Sequence, residues 1–218
     1  MADGTANRIK FHCLDLIKVS VGDSSDAIQV PKNLICARSP FFTAACSQRW
    51  DTEGRQVTHL PEDTSAVFSI YLQLTHTNGV FVEHDTGTLG LESIFTCLVE
   101  TYVLADKFGD PQSMNLVMEE IVRQCNAASV AYGQFLARAI RYAYDHTTDA
   151  SSPLRRGFVD FTVYVMNCAN LDGLLHEMGP AADFLYDVAM ASVRWRQEKG
   201  SFLHVFVEKQ CAEYHVMA

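Results

Sequence analysis

The last part of the sequence carries residues that can bind a metal ion. Cys211 and His215 are four residues apart, so on a helix a thiolate and an imidazole would share one face, with His204 as a further donor. A structural zinc site needs four such ligands. The alternative is a segment whose cysteine is simply buried. We therefore predict no metal ion at these residues.

Other patterns that could support catalysis are incomplete. His176-Glu177 lacks the second histidine, one turn on, that a zinc-protease helix needs. Cys36 and Cys46 have no neighbouring base in the sequence that would lower a thiol pKa. The sequence contains no phosphate-binding glycine loop and no nucleophile elbow. We predict no catalytic residue and no cofactor; the alternative is a metal- or thiol-dependent enzyme that uses the scattered cysteines and histidines.

The cysteines favour a reducing compartment. There are seven, an odd number, they are widely spaced, and they lie mostly in apolar stretches. This distribution is typical of reduced core thiols rather than of a disulfide framework. The sequence begins with polar residues and has no apolar signal core, so we expect the protein in the cytoplasm or the nucleus.

Large aromatic side chains are also candidates for binding a partner protein, because such side chains often anchor protein interfaces. Phe41, Trp50, Phe81 and Trp195 are the candidates, and core packing is the alternative for Phe41 and Trp195. The step Phe81-Val82-Glu83 combines an aromatic anchor with an acidic residue. Its alternative is that Phe81 packs on a sheet and Glu83 is merely solvated.

Composition narrows the class of partner. The chain has 218 residues, is 48% hydrophobic and carries a formal charge of −9. Nucleic-acid binding needs clustered Lys and Arg, which this charge opposes, and no apolar run approaches the roughly 20 residues of a membrane span. We expect a protein partner, no nucleic acid and no membrane.

The first part of the chain has strand signals followed by short helices. Leu16 to Val21 alternates and a polar turn leads into Ala27 to Val30, which predicts a hairpin. Pro31 suits the first position of one helix, and Ser39-Pro40 caps and opens a second. Gln56 to Leu60 predicts a third strand that can join the hairpin.

Helical periodicity dominates the remainder. The predicted helices have apolar faces at Val67 to Thr75, Ile94 to Ala105, Met114 to Cys125, Phe135 to Ala143, Leu154 to Val165 and Phe184 to Trp195. The first of these should stop in a left-handed turn at Asn78-Gly79, and Val80 to Val82 would add an edge strand. Gly109 should end the second helix, with Asp110 and Pro111 starting the next one.

Three blocks of this sequence resemble the BTB/POZ domain, specifically its fungal branch. They are Val30 to Phe42, Tyr71 to Gly79 and Tyr102 to Asp110, in the order and spacing of the family. One departure is Val30-Pro31-Lys32 where the family usually has valine-histidine-lysine.

The resemblance implies an α+β fold, a small mixed sheet flanked by α-helices, with a helical C-terminal extension. It places an N-terminal segment at 1–13, the BTB/POZ domain at 14–126, and the extension, packed on that domain, at 127–218.

The resemblance also implies a protein-interaction module, a scaffold or adaptor, and no enzyme. Family members often dimerise through their first strand and first helix, and Ile9 and Phe11 lie in the alternating segment Arg8 to Leu14, which could pair across a homodimer. The alternative is that this segment folds back on the edge strand of its own chain. The ubiquitin-ligase adaptor branch has a hydrophobic-x-acidic step that contacts a cullin. That step places Phe81 and Glu83, with Asn78 at the preceding turn, at a partner-binding surface.

Overall fold

The computed structural model describes residues 15–23, 26–47, 57–80, 91–127, 136–149, 151–165, 168–179, 181–198 and 214–216, and structural statements below concern these residues. Within them the chain is a mixed α+β protein, mostly helical, with one small sheet.

The sheet has three strands in the order β2-β1-β3: β1 (Leu16–Val21), β2 (Ile28–Pro31) and β3 (Val57–Leu60). The predicted hairpin is confirmed, because β1 and β2 pair antiparallel with Ile17 opposite Val30. Strand β3 joins the other side of β1 in parallel, with Lys18 opposite Val57. Alternation along β1 buries Ile17, Val19 and Val21 on one face.

The helices fall into two groups along the chain. Two short ones follow β2: α1 (Lys32–Arg38) and α2 (Pro40–Ala45). The others follow β3: α3 (Ser65–Thr77), α4 (Leu91–Lys107), α5 (Pro111–Ala127), α6 (Ala137–His146), α7 (Pro153–Val165), α8 (Cys168–Met178) and α9 (Ala182–Glu198). Helix α8 was not predicted. None of the described helices is both long enough and apolar enough to cross a bilayer.

The corner between α1 and α2 forms as predicted, with one correction. Ser39 caps α2, because its hydroxyl oxygen accepts a hydrogen bond from the Phe42 N–H at 3.2 Å, and Pro40 is the first helical residue. Pro31 is not the first residue of α1. It is the last residue of β2 and the residue that precedes the helix, and its backbone is extended.

An aromatic cluster ties this corner to the helices. The Phe108 ring lies 4.9 Å from Phe42, 5.0 Å from Tyr71, 5.3 Å from Phe41 and 6.4 Å from Phe68, measured between centroids. Phe41 is only half-buried, but it stacks on Phe108, which supports the core alternative for this residue.

The buried core extends beyond the proposed domain boundary at 126. Helix α4 packs on α3, α5 and α6, while α7 packs on α9 and α6 on α8. One hydrophobic cluster therefore contains side chains from β1 through Val188 and Tyr214.

Two local predictions need correction. Leu185, predicted on the apolar face of α9, is 42% exposed, whereas Phe184 and Val188 are buried there. Val80 is not in a strand, and the rest of the predicted edge strand lies outside the described residues.

Candidate interaction surface

The turn at the end of α3 contains Asn78, which is the predicted partner-binding residue that lies within the described part of the chain. Asn78 has a left-handed backbone with φ of 51°, and its N–H donates to the Leu74 carbonyl at 3.0 Å. Asparagine tolerates this conformation better than most residues. The predicted left-handed end of α3 is therefore confirmed.

A buried ion pair lies directly behind this turn. Arg38, at the end of α1, donates from Nε to the Asp110 carboxylate at 3.1 Å. The side chains are 9% and 1% exposed, so both charges are almost fully removed from water. Such charges are costly to bury unless other groups complete their hydrogen bonds.

Asp110 has those further partners. As predicted, it caps α5, since its carboxylate accepts from the Ser113 N–H at 2.9 Å and from the Ser113 hydroxyl at 2.7 Å. The Tyr71 hydroxyl donates to the same carboxylate at 3.2 Å. Burial, and then the negative charge of Asp110, raise the pKa of Tyr71 well above its usual value, so this phenol stays a donor.

Arg38 uses its remaining donors on α3 and α5. Its Nη1 donates to the Leu74 carbonyl at 3.2 Å and to the Asn78 side-chain oxygen at 2.9 Å, and its Nη2 donates to the Ser113 hydroxyl at 2.9 Å. Gln112 also donates to the Asn78 oxygen, at 3.2 Å. The guanidinium group therefore joins the ends of α1, α3 and α5 at one point, and the turn at Asn78 is held from both sides.

The structure tests the predicted contact residues only in part. Asn78 is exposed, but its side-chain oxygen already accepts two hydrogen bonds, so its observed role is to hold the turn. Phe81 and Glu83 come two and four residues after Gly79 and lie outside the described residues, as do Ile9 and Phe11.

Sequence reasoning missed the central residue of this arrangement. Arg38 and Asp110 are far apart in the chain, and only the helix-capping pattern Asp110-Pro111 indicated that the carboxylate had a structural role. No local signal in the sequence pointed to Arg38 as its partner.

A second exposed feature is the outer side of α9. Tyr186 is 65% exposed, and Leu185 and Val193 are each more than 40% exposed. Large apolar side chains concentrated on one helix are a feature of protein-binding surfaces.

The thiols of Cys46, Cys97 and Cys125 are poorly suited to nucleophilic chemistry. Burial, reinforced by neighbouring Cys36, raises the pKa of Cys46 to about 11, and burial also raises the pKa of Cys97 and Cys125. The thiolate, which is the reactive form, is therefore scarce at neutral pH.

The candidate metal ligands are not brought together among the residues that can be described. His215 lies 3.0 Å from the Glu119 carboxylate, whereas Cys211 and His204 fall outside the described ranges. No group of three or more potential ligands occurs within those ranges.

A search of protein-family models and a search of curated proteins both find no match to this chain.

Proposed function

We propose that this chain is a protein-interaction module of the BTB/POZ type, an intracellular scaffold or adaptor without catalytic activity of its own. The observation that carries the proposal is the Arg38–Asp110 pair, which holds the turn at Asn78 and so fixes the point from which the chain continues toward Phe81. A rigid support makes a contact residue effective because less conformational freedom is lost on binding.

The proposed partner is a cullin-type ubiquitin-ligase subunit, with Phe81 as the apolar anchor and Glu83 as the acidic contact. Truncating an anchor typically costs 2 kcal/mol or more, whereas charges at the rim of an interface act mainly on encounter rate. Phe81→Ala should therefore weaken binding of a cullin N-terminal domain at least about tenfold, and Glu83→Ala only a few-fold.

Isothermal calorimetry tests this surface, with circular dichroism to confirm that each variant is folded. Tyr186→Ala is the matched control, because it removes an exposed aromatic side chain from α9 instead. We expect its affinity to equal that of the wild type. If the cullin domain does not bind the wild-type chain at all, the adaptor function is refuted. If Tyr186→Ala weakens binding and Phe81→Ala does not, the surface lies on α9.

Self-association is the other mode open to such a module. The outer edges of β2 and β3 pair with no further strand in the described part of the chain, and an alternating segment containing Ile9 and Phe11 could add to a sheet edge of a second copy. Light scattering of the full chain should give a dimer mass, and a chain beginning at Asp15 should give a monomer. A monomer at every concentration of the full chain would refute the homodimer.

A further inference from the structure

Residues 214–216 are seated on helices α5 and α7 through contacts that resemble peptide recognition. This segment is distant in sequence from both helices, yet its Tyr214 side chain is only 1% exposed. Three kinds of contact hold it: a pocket for the tyrosine, a side-chain amide that bonds its backbone, and a carboxylate close to its imidazole ring.

The tyrosine pocket is formed mainly by α7. The Tyr214 hydroxyl donates to Asp160 Oδ2 at 2.8 Å, and the Arg156 guanidinium lies 5.8 Å from the ring centroid. Gly157 has no side chain here, and a Cβ at that position would come within 2.3 Å of Met118 Cε and 4.0 Å of the Tyr214 ring. The pocket therefore contacts both the aromatic ring and its hydroxyl group, which together distinguish a tyrosine.

Asn115 on α5 forms hydrogen bonds with the backbone of the segment. Its Nδ2 donates to the Val216 carbonyl at 3.2 Å, and its Oδ1 accepts from the Val216 N–H at 2.6 Å. One amide side chain therefore satisfies both backbone groups of Val216, as a neighbouring strand would, and it does so whatever side chain that residue carries. Proline alone is excluded, because it has no N–H.

His215, between Tyr214 and Val216, lies close to a carboxylate. The His215 ring nitrogen Nε2 lies 3.0 Å from Glu119, whose side chain is 47% exposed. A basic residue at this position is therefore favoured over an acidic one.

We propose that the groove formed by Asn115, Met118, Glu119, Arg156, Gly157 and Asp160 is a binding site for a short tyrosine-basic-aliphatic segment of a partner protein, and that this chain occupies the groove with its own residues 214–216. Side-chain pockets combined with backbone hydrogen bonds are how peptide-binding domains gain both specificity and affinity. A partner binds by displacing the resident segment, which competes at the high effective concentration of a tethered ligand.

None of the six groove residues is among the described residues that hold the turn at Asn78. The proposal therefore goes beyond the proposed function, and its failure would leave that function untouched.

The test uses the full-length chain and a fluorescein-labelled peptide, AEYHVM, with the sequence of residues 212–217. The Tyr214→Ala chain, which has lost its own anchor, should bind this peptide at least tenfold more tightly than the wild-type chain does, by fluorescence anisotropy. His215→Glu, which sets two carboxylates against each other at Glu119, should open the groove in the same way without emptying a buried site.

Matched controls separate this groove from nonspecific binding. Adding Asn115→Ala to the Tyr214→Ala chain removes two hydrogen bonds and should weaken peptide binding about tenfold or more. Arg123→Ala, on the same helix and paired within the described part of the chain with neighbouring Glu120, should change nothing. The peptide AEAHVM, which lacks the tyrosine, should not bind.

Four results would overturn the proposal. The first is that AEYHVM binds neither opened variant while both are folded by circular dichroism, and the second is that AEAHVM binds as well as AEYHVM. The third is loss of the folded signal in both variants, because the segment would then be part of the core. The fourth is a wild-type dimer that Asn115→Ala abolishes, because the occupant would then be a second copy of this chain.

Discussion

Replacing Asp110 by asparagine is expected to destabilise the protein by about 3 kcal/mol, because breaking a buried ion pair leaves the other charge without a partner. In this variant the acceptors left to Arg38 among the described residues are all neutral, and its side chain is 9% exposed. Asparagine has nearly the same shape as aspartate and is an equally good helix cap, so the cap on α5 is kept. The loss then reports the negative charge together with the Oδ2 acceptor that Arg38 and the Tyr71 hydroxyl use.

Two further variants calibrate this value. Asp110→Ala should cost about 1 kcal/mol more than Asp110→Asn, since alanine also removes the cap on α5. Lys107→Ala breaks the ion pair with Asp63, whose N···O distance of 2.7 Å is shorter than the 3.1 Å of the buried pair. That pair is more exposed, at 39% and 17%, so its loss should cost less than about 1 kcal/mol.

The measurement is urea unfolding, with equal slopes required before the midpoints are compared. We expect burial, not distance, to decide the order of the two pairs. An Asp110→Asn loss as small as the Lys107→Ala loss would refute it, because the buried charges would then contribute no more than exposed ones.

Two other predictions concern the α1–α2 corner and the thiols. Ser39→Ala should cost about 2 kcal/mol in urea unfolding, because the hydroxyl both caps α2 and donates to the buried Phe108 carbonyl at 2.8 Å; an unchanged midpoint would contradict the cap. Labelling of Cys46 by Ellman's reagent, followed by mass spectrometry of its peptide, should be slow at pH 8 and faster as the pH rises toward about 11, because the raised pKa of Cys46 keeps its thiol protonated. Rapid labelling of five or more of the seven thiols without denaturant would contradict this prediction.

Element boundaries could be predicted because local chemistry sets them. Ser39 and Asp110 cap the helices that follow them, and Asn78 and Gly109 adopt left-handed conformations where helices end. Each of these signals acts within a few residues, so one sequence suffices to find it.

Helix α8 was missed although its sequence carries a helical pattern. Leu171, Leu174, Leu175 and Met178 have the spacing of one helix face, and Leu174 and Met178 are buried. The segment lacks a proline or serine start of the kind that marked the neighbouring helices.

Contacts between distant residues could not be predicted. The parallel direction of β3 depends on how α1 and α2 return the chain to the sheet, which alternation does not encode. The Arg38–Asp110 pair and the seating of Tyr214 likewise depend on which helix ends meet in space. The turn at Asn78 could therefore be predicted from the sequence, whereas the Arg38–Asp110 pair that supports it could not.

The position of β1 at the centre of the sheet has a consequence for the order of folding. Its parallel partner β3 is separated from it along the chain by β2, α1 and α2, whereas α4 and α5 are joined directly through Phe108, Gly109 and Asp110. Local contacts form before distant ones because closing a long loop costs more chain entropy. We therefore expect the α4–α5 hairpin to be structured in the folding transition state and the β1–β3 pairing to complete later. In stopped-flow experiments, Leu98→Ala would then mainly slow folding and Val19→Ala mainly speed unfolding, and the opposite pattern would reverse this order.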